Sequence, residues 1–183
     1  MRFNSGARPE EDIRFDGTDA GLAAQTETLR KLAPPATEAQ ATDDVWHGRQ
    51  HLFGAATPTA QDSQPAAIAK FSVLPASIAS TCERLHNLAE PLNVHWSAVV
   101  QGTGLGWIRL GPANANAIQQ LLQTLRSQLE AAEGSFVVQY RSPGMPEIEA
   151  WGDPGDALPL MLSVKQQLDP KKTLNPGRFV GGI

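Results

Sequence analysis

The sequence predicts an α+β fold built on one antiparallel sheet, and three observations predict it. Apolar residues recur at every second position in some stretches and every third or fourth in others. These two patterns alternate along most of the chain beyond Ala66, and a Gly-Thr-Gly connection, Gly102–Gly104, joins two period-two stretches directly. With 183 residues, 41% of them hydrophobic, the chain can bury one sizeable core and is too short for two full domains. A single domain over 1–183 is expected, divided into an N-terminal part (12–56), a central part (66–142) and a C-terminal part (156–183).

Taken in order, Ile13–Thr18 (IRFDGT) reads as a short strand closing in an Asp-Gly turn, and Asp19–Leu32 as a helix stopped by Pro34-Pro35. Asp43–Phe53 is a second helical piece, with Asp43 placed to cap it and Val45, Trp46, Leu52 and Phe53 among its apolar positions. Thr57–Pro65 is a polar linker. Ala67–Leu74 is a strand ending at Pro75; Ser77 can then cap a helix with the stripe Ile78, Cys82, Leu85 and Ala89, ended by Pro91. Asn93–Gln101 alternates Val94, Trp96, Ala98 and Val100 against polar neighbours, and Leu105–Leu110 follows as its hairpin partner. Asn114 caps a helix with the stripe Ile118, Leu121, Leu122, Leu125 and Leu129, Gly134 stops it, and Ser135–Arg141 is the last strand. The order βαββαβ is the ferredoxin-like arrangement, with both helices on one face of the sheet. Asp156–Leu168 is a further helix, ended by Asp169-Pro170.

The run Val164–Phe179, VKQQLDPKKTLNPGRF, resembles the closing signature of FAD-linked oxidases of the vanillyl-alcohol oxidase superfamily. IRFDGT with its helix, the Trp46–Phe53 helix and KFSVLP at Lys70–Pro75 resemble the cap domain of the same superfamily, so the likeness spans almost the whole sequence. Within it, the smaller FAD-binding subunit of bacterial glycolate oxidase is most similar. The resemblance implies the cap half of an FAD-dependent oxidoreductase acting on a 2-hydroxy acid such as glycolate, with a flavin module and other oxidase subunits as partners. It also implies that Asn175, Pro176, Gly177 and Arg178 lie near the cofactor or the domain interface. Twelve residues precede Ile13 where the family has a large flavin-binding module, so the isolated chain is expected to bind FAD weakly or not at all and to be inactive alone. The metal-binding Gly-Asp-Gly-Asn-His segment of the larger subunit reads Gln101-Gly102-Thr103-Gly104-Leu105 here, without a ligand side chain, and no metal site is expected.

Strand alternation nominates the substrate residues. If Phe71, Val73, Val94–Val100, Phe136, Val138 and Tyr140 supply the helix-facing set, the opposite face collects Lys70, Ser72, His95, Ser97, Gln101, Arg109, Gln139 and Arg141. Arg109, Arg141, His95 and Lys70 are the candidates to hold a substrate carboxylate, the arginines through their planar forks. His95 is also placed as a possible proton acceptor, because imidazole ordinarily titrates near neutrality. The plainer reading is that any half-covered antiparallel sheet has a polar outer face, that Asn-Pro-Gly-Arg is an ordinary turn, that Trp46 is core with Arg49 solvated or stacked on it, and that Cys82 is a small buried hydrophobe.

A net charge of −4 leaves no basic surplus for nucleic acid or an anionic membrane. One cysteine cannot make an internal disulfide, and no stretch of the sequence suits a signal peptide or a spanning helix, so a cytoplasmic location without membrane insertion is expected. Nucleophile elbow, P-loop and CxxC patterns are missing from the sequence. The rival to the oxidase reading is a stand-alone ferredoxin-like binding or assembly module without redox activity, since this architecture hosts unrelated functions.

Overall fold

The computed structural model describes residues 1–6, 10–32, 42–54 and 64–183. It is a mixed α+β fold in the predicted ferredoxin-like arrangement. Strand β1 is Arg2–Asn4, helix α1 Asp19–Leu32 and helix α2 Gly48–Gly54; then come β2 (Ala67–Ser72), α3 (Ile78–Ala89), β3 (Trp96–Val100), β4 (Leu105–Leu110), α4 (Ala115–Glu130), β5 (Ser135–Arg141) and α5 (Leu158–Leu168). The sheet order is β1-β3-β4-β2-β5 and each neighbouring pair is antiparallel.

The core lies between the sheet and the pair α3/α4. Ile118, Leu121, Leu122, Leu125 and Leu129 of α4 and Ile78, Cys82, Leu85 and Ala89 of α3 are all buried against Ala69, Phe71, Ala98, Ile108 and Phe136. Each helix lays one apolar stripe, repeated at three-to-four spacing, onto alternate residues of the strands. Helix α4 begins as predicted, with Asn114 Oδ1 accepting from the Asn116 amide at 2.9 Å and the Ala117 amide at 3.4 Å. Ser77 precedes α3 but makes no side-chain capping bond. At the end of α4 it is Glu133, with φ of 59°, that takes the left-handed position; Gly134 follows because a Cβ there would press on the Ser72 carbonyl oxygen at 2.9 Å.

Two expectations for the N-terminal part are corrected. Ile13–Thr18 is not a strand; Ile13 is 40% exposed, and the pairing edge of β3 is occupied instead by Arg2–Asn4. Three features favour that short segment: Met1 and Phe3 pack against the core, Arg2 forks onto Asp12 at 2.8 and 3.0 Å, and the Met1 ammonium donates to the Val100 carbonyl. The predicted helix from Asp43 is a 3₁₀ turn over Asp43–His47 followed by α2, and Trp46 is 46% exposed rather than core. Pro34-Pro35 and most of the Thr57–Pro65 linker lie outside the described residues.

The second face of the sheet is not bare. Ile68 of β2, Trp107 of β4 and Leu52 of α2 are buried, yet none of them belongs to the main core. Gly48 is packed so tightly on β3 that a Cβ would come within 3.2 Å of a Val99 methyl. The sequence carries the reason: β2 reads Ala67-Ile68-Ala69 before any alternation begins, as a strand covered on both faces does. Among the described residues no helix is long and apolar enough to cross a membrane.

Candidate functional site

On the second face, Lys70 of β2 stands opposite Trp107 of β4, and Ile68 opposite Arg109, so cross-strand register brings Lys70, Trp107 and Arg109 to one side. Helix α2 adds Arg49, Gln50 and Phe53 at the margin, and β5 adds Gln139. Together with Lys70 and Trp107 these four line an open cavity of about 420 Å³. The Arg49 guanidinium lies 5.1 Å and the Lys70 ammonium 5.9 Å from the centroid of the buried Trp107 ring. The electron-rich ring face orients both cations without neutralising them.

Of the four substrate candidates, Lys70 alone lines this cavity. Arg109 shares the face, but its Nη1 donates to the Leu52 carbonyl at 3.4 Å, tying β4 to α2. His95 is exposed and precedes β3; its backbone carbonyl accepts from Gly111, and its side chain is not part of the cavity. Arg141 is not on the expected face. A bulge in the β2/β5 ladder between Ile68 and Ala69 shifts the register, so that Tyr140 faces across to Ile68 and Arg141 to Ala67. One extra residue inverts the alternation beyond it. Arg141 Nη1 therefore donates to the Met145 carbonyl at 3.0 Å and holds the loop after β5, while Tyr140 leaves the helix side.

Sequence reasoning missed Arg49 and Trp107. The signal for Trp107 was present, since it stands two residues from Arg109 on one strand and so shares its face. The stacking partner of Arg49 is this tryptophan, not Trp46.

The Asn175–Arg178 segment forms a turn, with Asn175 at φ 44°, Gly177 at φ 71° and the Arg178 amide donating to the Asn175 carbonyl at 3.2 Å. It borders a different open cavity, of about 490 Å³, with Lys165, Leu174, Phe179 and Ile183, and the two cavities share no lining residue. Trp151 packs edge-on against Phe179, ring centroids 4.7 Å apart, and Ala150 receives a bond from the Val138 amide, so the tail is anchored at the outer edge of β5. The substrate candidates and the cofactor candidates are thus not brought together.

Asp169 organises this tail. Buried to 4% exposure, its carboxylate accepts from Lys165 Nζ at 2.8 Å, from the Leu174 and Thr173 amides at 2.9 Å each, and from the Thr173 hydroxyl at 3.1 Å. The Lys165 ammonium, then the two amides, hold its pKa well below the usual carboxylate range against the opposing effect of burial. Because the native carboxylate titrates below its unfolded value, its contribution is complete above about pH 4 and fades as pH falls from there. Protection of the Thr173 and Leu174 amides, taken as the exchange rate relative to that of an unstructured peptide at the same pH, should fall as pH drops through that window, and Asp169→Asn should leave protection low and nearly independent of pH.

As a cofactor site the tail does not fit FAD unaided. Its turn offers one free-standing guanidinium, Arg178, because Lys165 is already spent on Asp169 and on the Leu174 carbonyl at 2.6 Å. A pyrophosphate needs a converging set of donors. Cys82 is no nucleophile either, since burial, assisted by Glu83, pushes its thiol up to about 11. Among the described residues no group of three or more His, Cys, Asp or Glu is placed to hold a metal ion. No family model matches the chain and no curated protein is significantly similar to it.

Proposed function

We propose that this chain is the cap half of an FAD-dependent oxidoreductase acting on a 2-hydroxy acid, working in the cytoplasm as a partner of a flavin-carrying module and of other oxidase subunits. The observation that carries the reading is helix α5. It buries none of its residues and turns Leu160, Val164 and Leu168 outward at 69, 47 and 78% exposure, a stripe that an isolated domain gains nothing by displaying. That stripe leads directly into the Asn175–Arg178 turn whose sequence resembles the superfamily's closing signature. Helix α5 and the tail are read as the surface that meets the flavin module. The cationic cavity on the second sheet face is read as the place for the acid.

In this division of labour the chain's own residues bind and orient. Arg49 and Lys70 attract the carboxylate, and Trp107 fixes both cations in place. Redox chemistry belongs to the cofactor held by the other module.

Co-expression with a flavin module encoded in the adjoining reading frame tests the proposal. A yellow co-purified complex that bleaches on addition of a 2-hydroxy acid is the expected result; a colourless pair overturns it. One observation favours the rival reading of a stand-alone binding module: α2 already covers part of the second face, and Arg109 is committed to holding it there. On that reading no flavin-module gene adjoins this one, and the purified chain is complete in function without a cofactor.

A further inference from the structure

The cavity beside α2 has a chemical character that a two-carbon acid does not use. Its charged part is Arg49 and Lys70, neither of which forms a salt bridge among the described residues. Its apolar part is the half-buried Phe53 and the buried Trp107, and its remaining polar groups are the Gln50 and Gln139 carboxamides. An unpaired guanidinium and an unpaired ammonium around one ring make a receptor for a single carboxylate: the planar fork takes two oxygens, and the ammonium adds a point charge. Two aromatic side chains in the same lining then favour an apolar group attached to that carboxylate, and the open cavity, about 420 Å³, has room for one.

We propose that this cavity binds a monocarboxylate carrying an aryl or branched aliphatic group, in preference to a small acid such as glycolate. Calling that acid the substrate rests on the cap reading above; the binding itself does not. Arg49 and Lys70 hold the carboxylate, Phe53 and Trp107 contact the apolar group, and Gln50 and Gln139 are positioned for a hydroxyl or oxo substituent.

The test uses the full chain without flavin and follows tryptophan indole NMR resonances, with that of Trp107 assigned from Trp107→Phe, during titration with 3-phenyllactate, glycolate and the neutral 3-phenyl-1,2-propanediol. A saturable shift at Trp107 with 3-phenyllactate, at least tenfold weaker response to glycolate and none to the diol are expected. Arg49→Gln, at an exposed position, and Lys70→Gln, at a half-buried one, should each weaken 3-phenyllactate binding about tenfold, the scale of one charge-assisted hydrogen bond, while Lys70→Arg retains it. An unchanged Trp96 resonance verifies the fold of each variant. No saturable shift, equal response to glycolate, or binding indifferent to both charge removals overturns the proposal. The outcomes are separable from those of the oxidase reading: binding without a yellow complex sinks the cap function and keeps the site, and a yellow complex without binding does the reverse.

Discussion

Replacing Phe136 with alanine is expected to destabilise the fold by about 3–5 kcal/mol, the range for removing a fully buried aromatic ring. Phe136 is 1% exposed and heads the fully buried side chains by volume. It stands opposite Phe71 across the β2/β5 ladder and faces α4, where the Arg126 guanidinium carbon lies 5.6 Å above its ring. Truncation therefore opens a cavity where sheet and helix meet, and collapse from either side is resisted by strands paired on both edges of β2. Arg126 loses its ring as well, and its Nε is already buried without a hydrogen-bond partner among the described residues. Denaturant unfolding should show a lowered midpoint with an unchanged slope, and Tm should fall by about 10–15 °C for a chain of this size. Phe136→Leu, which keeps most of the volume, should cost less than half as much. A loss below about 1 kcal/mol for the alanine variant would mean that β5 and α4 do not pack as described.

The central ferredoxin-like unit was legible because each of its elements is specified by one dominant signal. The α4 stripe, the Asn114 cap and the Gly102–Gly104 connection agree with one another at the local level, and the tertiary structure overrides none of them. The N-terminal part was less legible for a physical reason: the sheet edge beside β3 is claimed by three residues, Arg2–Asn4, too few to show a period. IRFDGT has better strand chemistry yet pairs with no strand among the described residues, since strand formation depends on an available edge as much as on composition. At the site, pleat alternation identified Lys70 and Arg109 correctly as neighbours on one face. It failed for Arg141 because a bulge adds a residue with no composition signature; His95 stands one residue before β3, exposed and outside the cavity, so sharing the parity of Ser97 did not bring it to the site. It missed Arg49 because α2 reaches the sheet from outside the βαββαβ unit, a long-range packing choice that no local pattern records.

The β3/β4 hairpin depends on a single residue in a way that sequence alone made only half visible. Gly104→Ala is expected to destabilise by about 2–3 kcal/mol, from two costs that add. Gly104 has φ of 90°, a conformation that a side chain strains, and a Cβ there would be driven into the Val73 carbonyl oxygen, a backbone atom that cannot rotate away. The same glycine supplies the carbonyl that accepts from the Val73 amide at 3.0 Å and the amide that donates to Gln101 at 2.9 Å. Relieving the clash therefore breaks the bonds that tie the hairpin tip to the end of β2. Gly102, by contrast, has open space around its Cβ position and no positive φ, so Gly102→Ala serves as the control and should change stability by less than about 0.5 kcal/mol. Because Lys70 and Trp107 are aligned by the ladder that this tip closes, the Gly104 variant should also lose the saturable Trp107 response before it unfolds globally, detectable as weaker ligand titration at temperatures where the far-UV spectrum is still native. Equal stability of the two variants would show that the tip does not hold the close approach to Val73 on which the hairpin geometry rests.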